Sequence, residues 1–222
     1  MGTYAALVLA GGAARRMGGV DKPALPVGGR PMRDRVLAAV ADAAPRVLVG
    51  PADAVPGGVR VTREDPPGGG PVAATAAGLA LLDPGTTLVA LLAADLPLLT
   101  RAAIGELLTH LDDPEGAVAG PVLDGGTSPS RPERGTGRLD GACFVDADGR
   151  RQSLCGVWRV AALRAALGRL AAGRGGTVAG APVRALLGDL VVREVPWSGD
   201  GPPPWFDCDT DEDVRRAEEW VR

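Results

Sequence analysis

The sequence predicts a single Rossmann-like, three-layer α/β/α domain in which helices cover both faces of a mostly parallel sheet. Short apolar runs bounded by glycine or polar residues alternate with longer segments of helical periodicity, which is the pattern of an α/β fold. Hydrophobic residues make up 45% of the chain but aromatic residues only 3%, so the core must consist of Ala, Leu and Val. At 222 residues we expect one domain, spanning 1–222.

The first element is an apolar run at 4–9, predicted to be a strand buried on both faces. It opens into a loop at 11–22 that is rich in glycine and arginine. Glycines let backbone N–H groups approach phosphate oxygens closely, and cations balance the phosphate charge. The loop is not a P-loop, because Pro23 follows Lys22, and it lacks the Gly-x-Gly-x-x-Gly spacing of dinucleotide-binding proteins. It therefore predicts a phosphate-binding loop of a third kind.

Lys22 is the single lysine among 24 Lys and Arg residues. An ammonium group is a compact point charge, whereas a guanidinium group is a wide planar fork, so arginine does not always replace lysine. Because Lys22 ends a glycine-rich loop, we expect it to contact phosphate. The alternative is a surface lysine without a function.

The next segments follow the order of an α/β unit with right-handed crossovers. A helix is predicted over 31–44, with Pro31 in its first turn, and buried strands are predicted over 46–50 and 58–62. A loop of proline and glycine then leads to an alanine-rich helix at 72–82.

A central apolar strand at 87–94 ends in Asp95. Ligands of open parallel sheets lie at the carboxyl ends of the strands, so this carboxylate is placed to hold a hard cation such as magnesium. The alternative is that Asp95 caps the helix predicted at 100–111, but Thr100 can serve as that cap.

The second half of the chain is predicted to continue with strands at 115–120, 141–146, 151–159 and 190–195 and helices at 160–172 and 176–187. Asp148-Gly149 indicates a hairpin turn. Thr210 and Asp213 are spaced as a capping box for a final helix. The segment 124–140, which includes Arg131, Arg134 and Arg138, has no periodicity. It is either a mobile surface loop or a basic flap that closes on an anionic acceptor.

Composition limits the class of protein. The net charge of −3 argues against a general nucleic-acid binder. Three cysteines without a Cys-x-x-Cys motif favour a reducing cytoplasm. We expect neither a signal peptide nor a membrane span. His110, near a predicted helix end, is expected at the surface or in a capping role.

The sequence at 9–22, Leu-Ala-Gly-Gly-x-x-x-Arg-Met-Gly-Gly-x-Asp-Lys, resembles the signature of the molybdenum cofactor guanylyltransferases, the MobA-like nucleotidyltransferases. Sugar-nucleotide pyrophosphorylases and erythritol-phosphate cytidylyltransferases share only its first part, and the doubled glycine before x-Asp-Lys is more typical of the guanylyl branch. The resemblance implies the nucleotide-diphospho-sugar transferase-like form of the α/β fold.

The resemblance also implies functional residues. The expected catalytic residues are Arg16, Lys22 and Asp95, and the expected nucleotide-binding residues are Leu9, Ala10, Gly11, Gly12, Lys22, Asp65, Gly70, Pro71 and Asp95. Asp65 could instead be a solvated loop carboxylate. Gly70-Pro71-Val72-Ala73-Ala74 resembles the family's Gly-Pro-Leu-Ala-Gly, with Ala74 in place of the last glycine. Asp209 matches the second Asn of the family's Asn-x-Asn motif, so Asp95 and Asp209 are the expected Mg²⁺ ligands. Gln152 is similarly expected at the acceptor.

The implied reaction transfers GMP from GTP to the phosphate of molybdenum-bound molybdopterin and releases pyrophosphate. Cytidylyl transfer to molybdopterin and guanylyl transfer to phospholactate are the closest alternatives. A non-catalytic cofactor carrier is an alternative of another class, and a dehydrogenase is more distant. The implied partners are GTP, molybdopterin and a molybdenum-cofactor delivery protein, with neither nucleic acid nor membrane involved. We expect a cytoplasmic monomer or weak homo-oligomer.

Overall fold

The computed structural model describes residues 4–11, 22–52, 55–112 and 138–222. A short 3-10 helix covers Lys22–Ala24. The strands are β1 (Ala5–Leu9), β2 (Pro26–Val27), β3 (Arg30–Pro31), β4 (Arg46–Val49), β5 (Val59–Thr62), β6 (Leu88–Ala93), β7 (Gly141–Val145), β8 (Arg151–Arg159) and β9 (Val192–Pro196). The helices are α1 (Met32–Ala39), α2 (Gly70–Ala80), α3 (Arg101–Asp112), α4 (Val160–Ala172), α5 (Val183–Leu187) and α6 (Asp211–Trp220).

The main sheet has seven strands in the order β5-β4-β1-β6-β8-β7-β9, and β2 and β3 form a separate hairpin. Neighbours from β5 to β6 are parallel, as are β7 and β9, whereas β8 is antiparallel to both β6 and β7. The predicted α/β fold with a mostly parallel sheet is confirmed. Because β8 is antiparallel, its first residues lie at the same edge of the sheet as the carboxyl end of β6.

The sheet is buried on both faces, as β1 illustrates. Side chains of a strand alternate between the two faces. Ala6 and Val8 pack with α1 and α3 in one apolar cluster, while Leu7 packs with α2 and α4 in another. The chain therefore has the predicted three layers. The extension of one domain over all of 1–222 stays a prediction, because 113–137 lie outside the described residues.

Two predicted helices are longer than the observed ones. Helix α1 ends at Ala39 rather than at residue 44, because the chain continues in turns: Ala41 N–H donates to Ala38 O and Ala43 N–H to Val40 O, three residues back instead of four. The helix predicted at 176–187 is wrong before Val183. Gly176 and Gly180 have φ angles of 92° and 69°, which a right-handed helix does not allow.

The remaining predicted elements in the described part of the chain are present. Helix α2 begins at Gly70, two positions before the predicted start, and its first turn contains Pro71. Cys143, Cys155 and Cys208 are free and buried. None of the helices in the described ranges is both long and apolar enough to cross a membrane. The strand predicted at 115–120, Arg131 and Arg134 lie outside those ranges.

Candidate active site at the carboxyl edge of the sheet

The floor of the site is formed where β1, β4 and β6 end side by side. Main-chain hydrogen bonds join these ends: Ala10 N–H donates to Val49 O at 2.8 Å, and Ala94 N–H donates to Leu9 O at 3.0 Å. Leu9 and Ala10 are buried and support this floor through their backbone, whereas Gly11 is exposed. Of the first three predicted nucleotide contacts, Gly11 is thus the one presented to solvent.

Gly50 lies beside this floor, where its backbone closely approaches that of Ala10. Gly50 has a φ of 140°, and a Cβ atom at this position would lie 2.8 Å from the carbonyl carbon of Ala10. A side chain would therefore be strained by its backbone angle and would also push β1 and β4 apart. Gly50 also donates its N–H to Thr62 O at 2.9 Å, which joins the end of β5 to the same edge.

A cluster of three charged side chains lies at this edge of the sheet, formed by Lys22, Asp95 and Asp209. The Lys22 ammonium donates to Asp95 Oδ2 and, at 2.6 Å, to Asp209 Oδ1. The Lys22 side chain is 13% exposed and that of Asp95 21%, while Asp209 is 52% exposed at the mouth of the site. The structure therefore brings together the predicted catalytic lysine and the two predicted metal ligands.

The segment before α6 holds Asp209 in this position. Cys208 is buried, and its N–H donates to Asp95 O at 3.3 Å. Thr210 and Asp213 form the predicted capping box, with Asp213 N–H donating to Thr210 Oγ1 at 3.2 Å and Thr210 N–H to Asp213 Oδ2 at 2.8 Å. Capping fixes the first turn of the helix, and Asp209 directly precedes the capping residue.

Lys22 is held by the same helix through the hairpin of β2 and β3. Glu218 Oε1 of α6 accepts a hydrogen bond from Gly28 N–H at 2.7 Å, and a Cβ atom on Gly28 would lie 2.9 Å from Val221. Val27 of the hairpin and Cys208 also share a small apolar cluster. Helix α6 therefore positions two members of the cluster, Asp209 directly and Lys22 through the hairpin.

Asp95 is not a helix cap. Thr100 Oγ1 accepts the N–H of Ala103 at 3.2 Å, so the threonine caps α3 as the sequence suggests. The Asp95 carboxylate instead accepts a hydrogen bond from the Lys22 ammonium.

The charged groups of the cluster shift one another's pKa values. Burial disfavours the charged form of Lys22 and is the largest influence, but its hydrogen bonds to Asp209 and Asp95 outweigh burial and raise the pKa of Lys22 above its ordinary value. Burial, followed by the charges of Asp209 and Asp95, raises the pKa of Asp207. Two carboxylates thus bond to Lys22 and a third lies close enough for their charges to act on it.

A second acidic position lies across the floor, after β5. Glu64 Oε1 accepts the N–H of Gly68 at 3.1 Å. The same oxygen lies 3.6 Å from the position that a Cβ atom would occupy if Gly11 carried a side chain. Asp65, the predicted acidic residue, is exposed. Glu64 could not be identified from the sequence, because two consecutive carboxylates after a strand point to different sides, and the sequence does not show which one faces the site.

Gln152 lies at the start of β8, at the same edge of the sheet. Its amide donates to Asp146 Oδ2 at 3.1 Å and to Arg150 O at 3.3 Å. Asp146 also organises the predicted hairpin turn, because its Oδ1 accepts the N–H of Arg150 at 2.8 Å. The structure therefore ties the Gln152 side chain to the turn between β7 and β8.

A comparison with protein families shows to which family this chain belongs. The model of the MobA-like NTP transferase domain matches residues 6–190. The chain belongs to this family. A search of curated proteins found no match.

Solved structures with the same fold include other nucleotidyltransferases. Molybdopterin-guanine dinucleotide biosynthesis protein A from Archaeoglobus fulgidus superposes with a TM-score of 0.64 at 18% identity, covering 97% of each chain. The 2-C-methyl-D-erythritol 4-phosphate cytidylyltransferase from Thermus thermophilus has a TM-score of 0.63 at 19% identity, covering 98% of each chain. At these identities the likeness establishes the fold of this MobA-like transferase.

The donor set of the MobA-like transferase fits a magnesium ion. Within the ranges that the structure describes, no three His, Cys, Asp or Glu residues are grouped as a metal site. Asp95 Oδ2 and Asp209 Oδ1 nevertheless converge on one cation, the Lys22 ammonium. Magnesium is commonly bound by one or two carboxylates together with water and substrate phosphates, and two converging carboxylate oxygens match that kind of donor set.

Two predicted site residues of the transferase, Gly12 and Arg16, lie outside the described residues. Gly70 and Pro71 form the start of α2, after the loop that Glu64 holds. Gly70 has a φ of 85°, which accounts for glycine at this turn into the helix.

Proposed function

We propose that this protein transfers GMP from GTP to the terminal phosphate of molybdenum-bound molybdopterin and releases pyrophosphate. The observation that carries the proposal is the cluster of Lys22, Asp95 and Asp209 at the carboxyl edge of the sheet, in a member of the MobA-like family. The doubled glycine before Asp21-Lys22 in the preceding loop supports the guanylyl branch of the family.

In the proposed step, an oxygen of the acceptor phosphate forms a bond to the α-phosphorus of GTP. The bond from the α-phosphorus to the oxygen bridging to the β-phosphate breaks, and pyrophosphate leaves with that electron pair. The acceptor phosphate is already an anion, so the step needs no general base. Catalysis consists of positioning the two phosphates and neutralising their charge.

Each part of the site has a role in this reaction. Lys22 and Arg16 would neutralise the triphosphate, and Gly11, Gly12 and the ends of the strands would support it from below. Asp95 and Asp209 would hold Mg²⁺, which supplies positive charge to the phosphate oxygens when it is bound.

The remaining predicted contacts are assigned to the two substrates. Asp65, Gly70 and Pro71 belong to the nucleotide side of the edge, and Gln152 to the acceptor side. The Asp146 contact of Gln152 would have to be exchanged for one to the acceptor. We place the reaction in the cytoplasm, with a molybdenum-cofactor delivery protein as a further partner.

The test is a competition among the four nucleotides, each labelled at the α-phosphate, with Mg²⁺ and molybdenum-bound molybdopterin. We expect label in the product only from GTP, with at least about a hundredfold preference in kcat/KM, because a pocket that hydrogen-bonds one base leaves its polar groups unpaired with another. A preference for CTP would assign the protein to cytidylyl transfer. Tight binding of molybdopterin without turnover would identify a carrier.

A further inference from the structure

We propose that Glu64 selects the guanine base by accepting hydrogen bonds from its N1–H and N2–H groups. This inference rests on the proposed function, because it takes GTP as the nucleotide. Glu64 follows β5, the outermost strand on this side of the sheet, and Lys22 and Asp95 lie in front of β6. The base would then lie toward β5 and the triphosphate toward β6, next to each other along one edge.

The position of Glu64 connects the two loops that border the nucleotide side. Its Oε1 atom accepts the N–H of Gly68 at 3.1 Å, within the loop that leads into α2. The same atom lies 3.6 Å from the position of a Cβ atom on Gly11, the exposed residue after β1. The side chain therefore reaches back from β5 across the end of β4 and is partly buried there.

The carboxylate has acceptor capacity left over. Within the part of the chain that the structure describes, the bond from Gly68 is the only hydrogen bond that Glu64 accepts. A carboxylate has about four lone-pair positions. A partly buried charge with few partners loses solvation, and a ligand that supplies donors restores it. The surrounding loop at 66–71 consists of glycine and proline, and Asp65 is exposed, so Glu64 is the partly buried acceptor side chain beside this loop.

The chemistry of the carboxylate matches guanine. Guanine presents two neighbouring donors, N1–H and N2–H, and a carboxylate can accept both at once. Cytosine and adenine each place an acceptor beside their donor, so one carboxylate oxygen would face a lone pair. A site built to pair with two donors rejects such bases, because a partly buried carboxylate oxygen would then face a lone pair instead of a donor.

The experiment exchanges one oxygen of Glu64 for an amide nitrogen. Dissociation constants of GTP, ITP, XTP and CTP are measured by calorimetry with Mg²⁺ for the wild-type protein and Glu64→Gln. ITP lacks the N2 amine, and XTP carries an oxygen in its place. Glu64→Gln should raise the dissociation constant of GTP at least about tenfold. It should also bring the ratio of the GTP and ITP dissociation constants close to one. It should also raise the affinity for XTP relative to GTP, because an amide N–H can donate to that oxygen.

Two further variants serve as comparisons. Asp83→Asn removes an exposed carboxylate that is paired with Arg60 and should leave all four constants unchanged, which controls for the loss of one charge. Asp65→Asn tests the neighbouring carboxylate, and a change in the GTP-to-ITP ratio in this variant but not in Glu64→Gln would overturn the proposal.

The outcomes separate this inference from the proposed function. If Glu64→Gln weakens every nucleotide by the same factor, Glu64 only shapes the loop at 66–71, and the inference is overturned while guanylyl transfer stands. If the wild-type protein binds CTP more tightly than GTP, the proposed function fails as well. A GTP-selective wild type whose selectivity shifts toward XTP in Glu64→Gln supports both.

Discussion

Replacing Lys22 by methionine should have opposite effects on turnover and on metal binding. Methionine keeps an unbranched side chain but removes the charge that lies between Asp95 and Asp209. Turnover should fall because the triphosphate loses a neutralising cation. Metal binding without nucleotide should strengthen, because the two oxygens proposed to hold Mg²⁺ no longer bond to an ammonium group.

The contacts of Lys22 determine the size of both effects. A donor directed at developing charge contributes about 3–4 kcal/mol, so kcat/KM should fall by about 10²–10³-fold. A hydrogen bond between charged groups contributes about 1.5–3 kcal/mol. Asp209 is half exposed, so solvent weakens its bond to Lys22. We therefore assign about 1.5 kcal/mol in all to the free energy of displacing Lys22 from the two carboxylates. Removing Lys22 should then raise the metal affinity about tenfold.

The assay measures free Mn²⁺ by electron paramagnetic resonance in the absence of nucleotide, and GMP transfer separately. Lys22→Arg is the control that keeps the charge: its planar guanidinium is too wide to replace the ammonium between the two oxygens, and we expect only partial turnover. Wild-type turnover in Lys22→Arg would show that the lysine is incidental. Unchanged Mn²⁺ affinity in Lys22→Met would refute the assignment of Asp95 and Asp209 as a shared cation site.

Three further predictions concern single side chains. Asp95→Ala should abolish magnesium-dependent turnover with little change in the thermal midpoint, and an active or unfolded variant would remove the support for its metal role. Thr210→Ala should lower the free energy of unfolding by about 1 kcal/mol and reduce turnover, because Asp209 precedes this cap, whereas Thr210→Ser should retain both. Tyr4 donates to Asp42 at 2.9 Å, and burial, followed by this bond, raises the pKa of Tyr4 above 10. Because the folded protein holds this proton more tightly than the unfolded chain, its contribution to stability is complete below pH 10 and declines as the pH rises further. Unfolding by urea at pH 9 and pH 11 should show this decline in the wild type and a smaller one in Tyr4→Phe.

Much of the fold was predictable because its information is local. Buried parallel strands need continuous apolar runs, and the runs at β1, β4 and β6 are present in the sequence. The capping box of α6 depends on two residues three positions apart, so its spacing alone predicted the start of this helix. Helix ends were less predictable, since the end of α1 depends on how the chain turns before Pro45.

The sequence by itself determined the elements and the residue types of the site: a glycine-rich loop ending in the single lysine, and a carboxylate at the end of a buried strand. The tertiary structure decided which of these residues meet. Lys22 bonds to partners 73 and 187 positions away, and the order of strands in the sheet sets such contacts. The same holds for Glu64 beside Gly11, because the direction of a side chain after a strand depends on the packing of loops from other strands. Local sequence patterns carry no record of those distant neighbours.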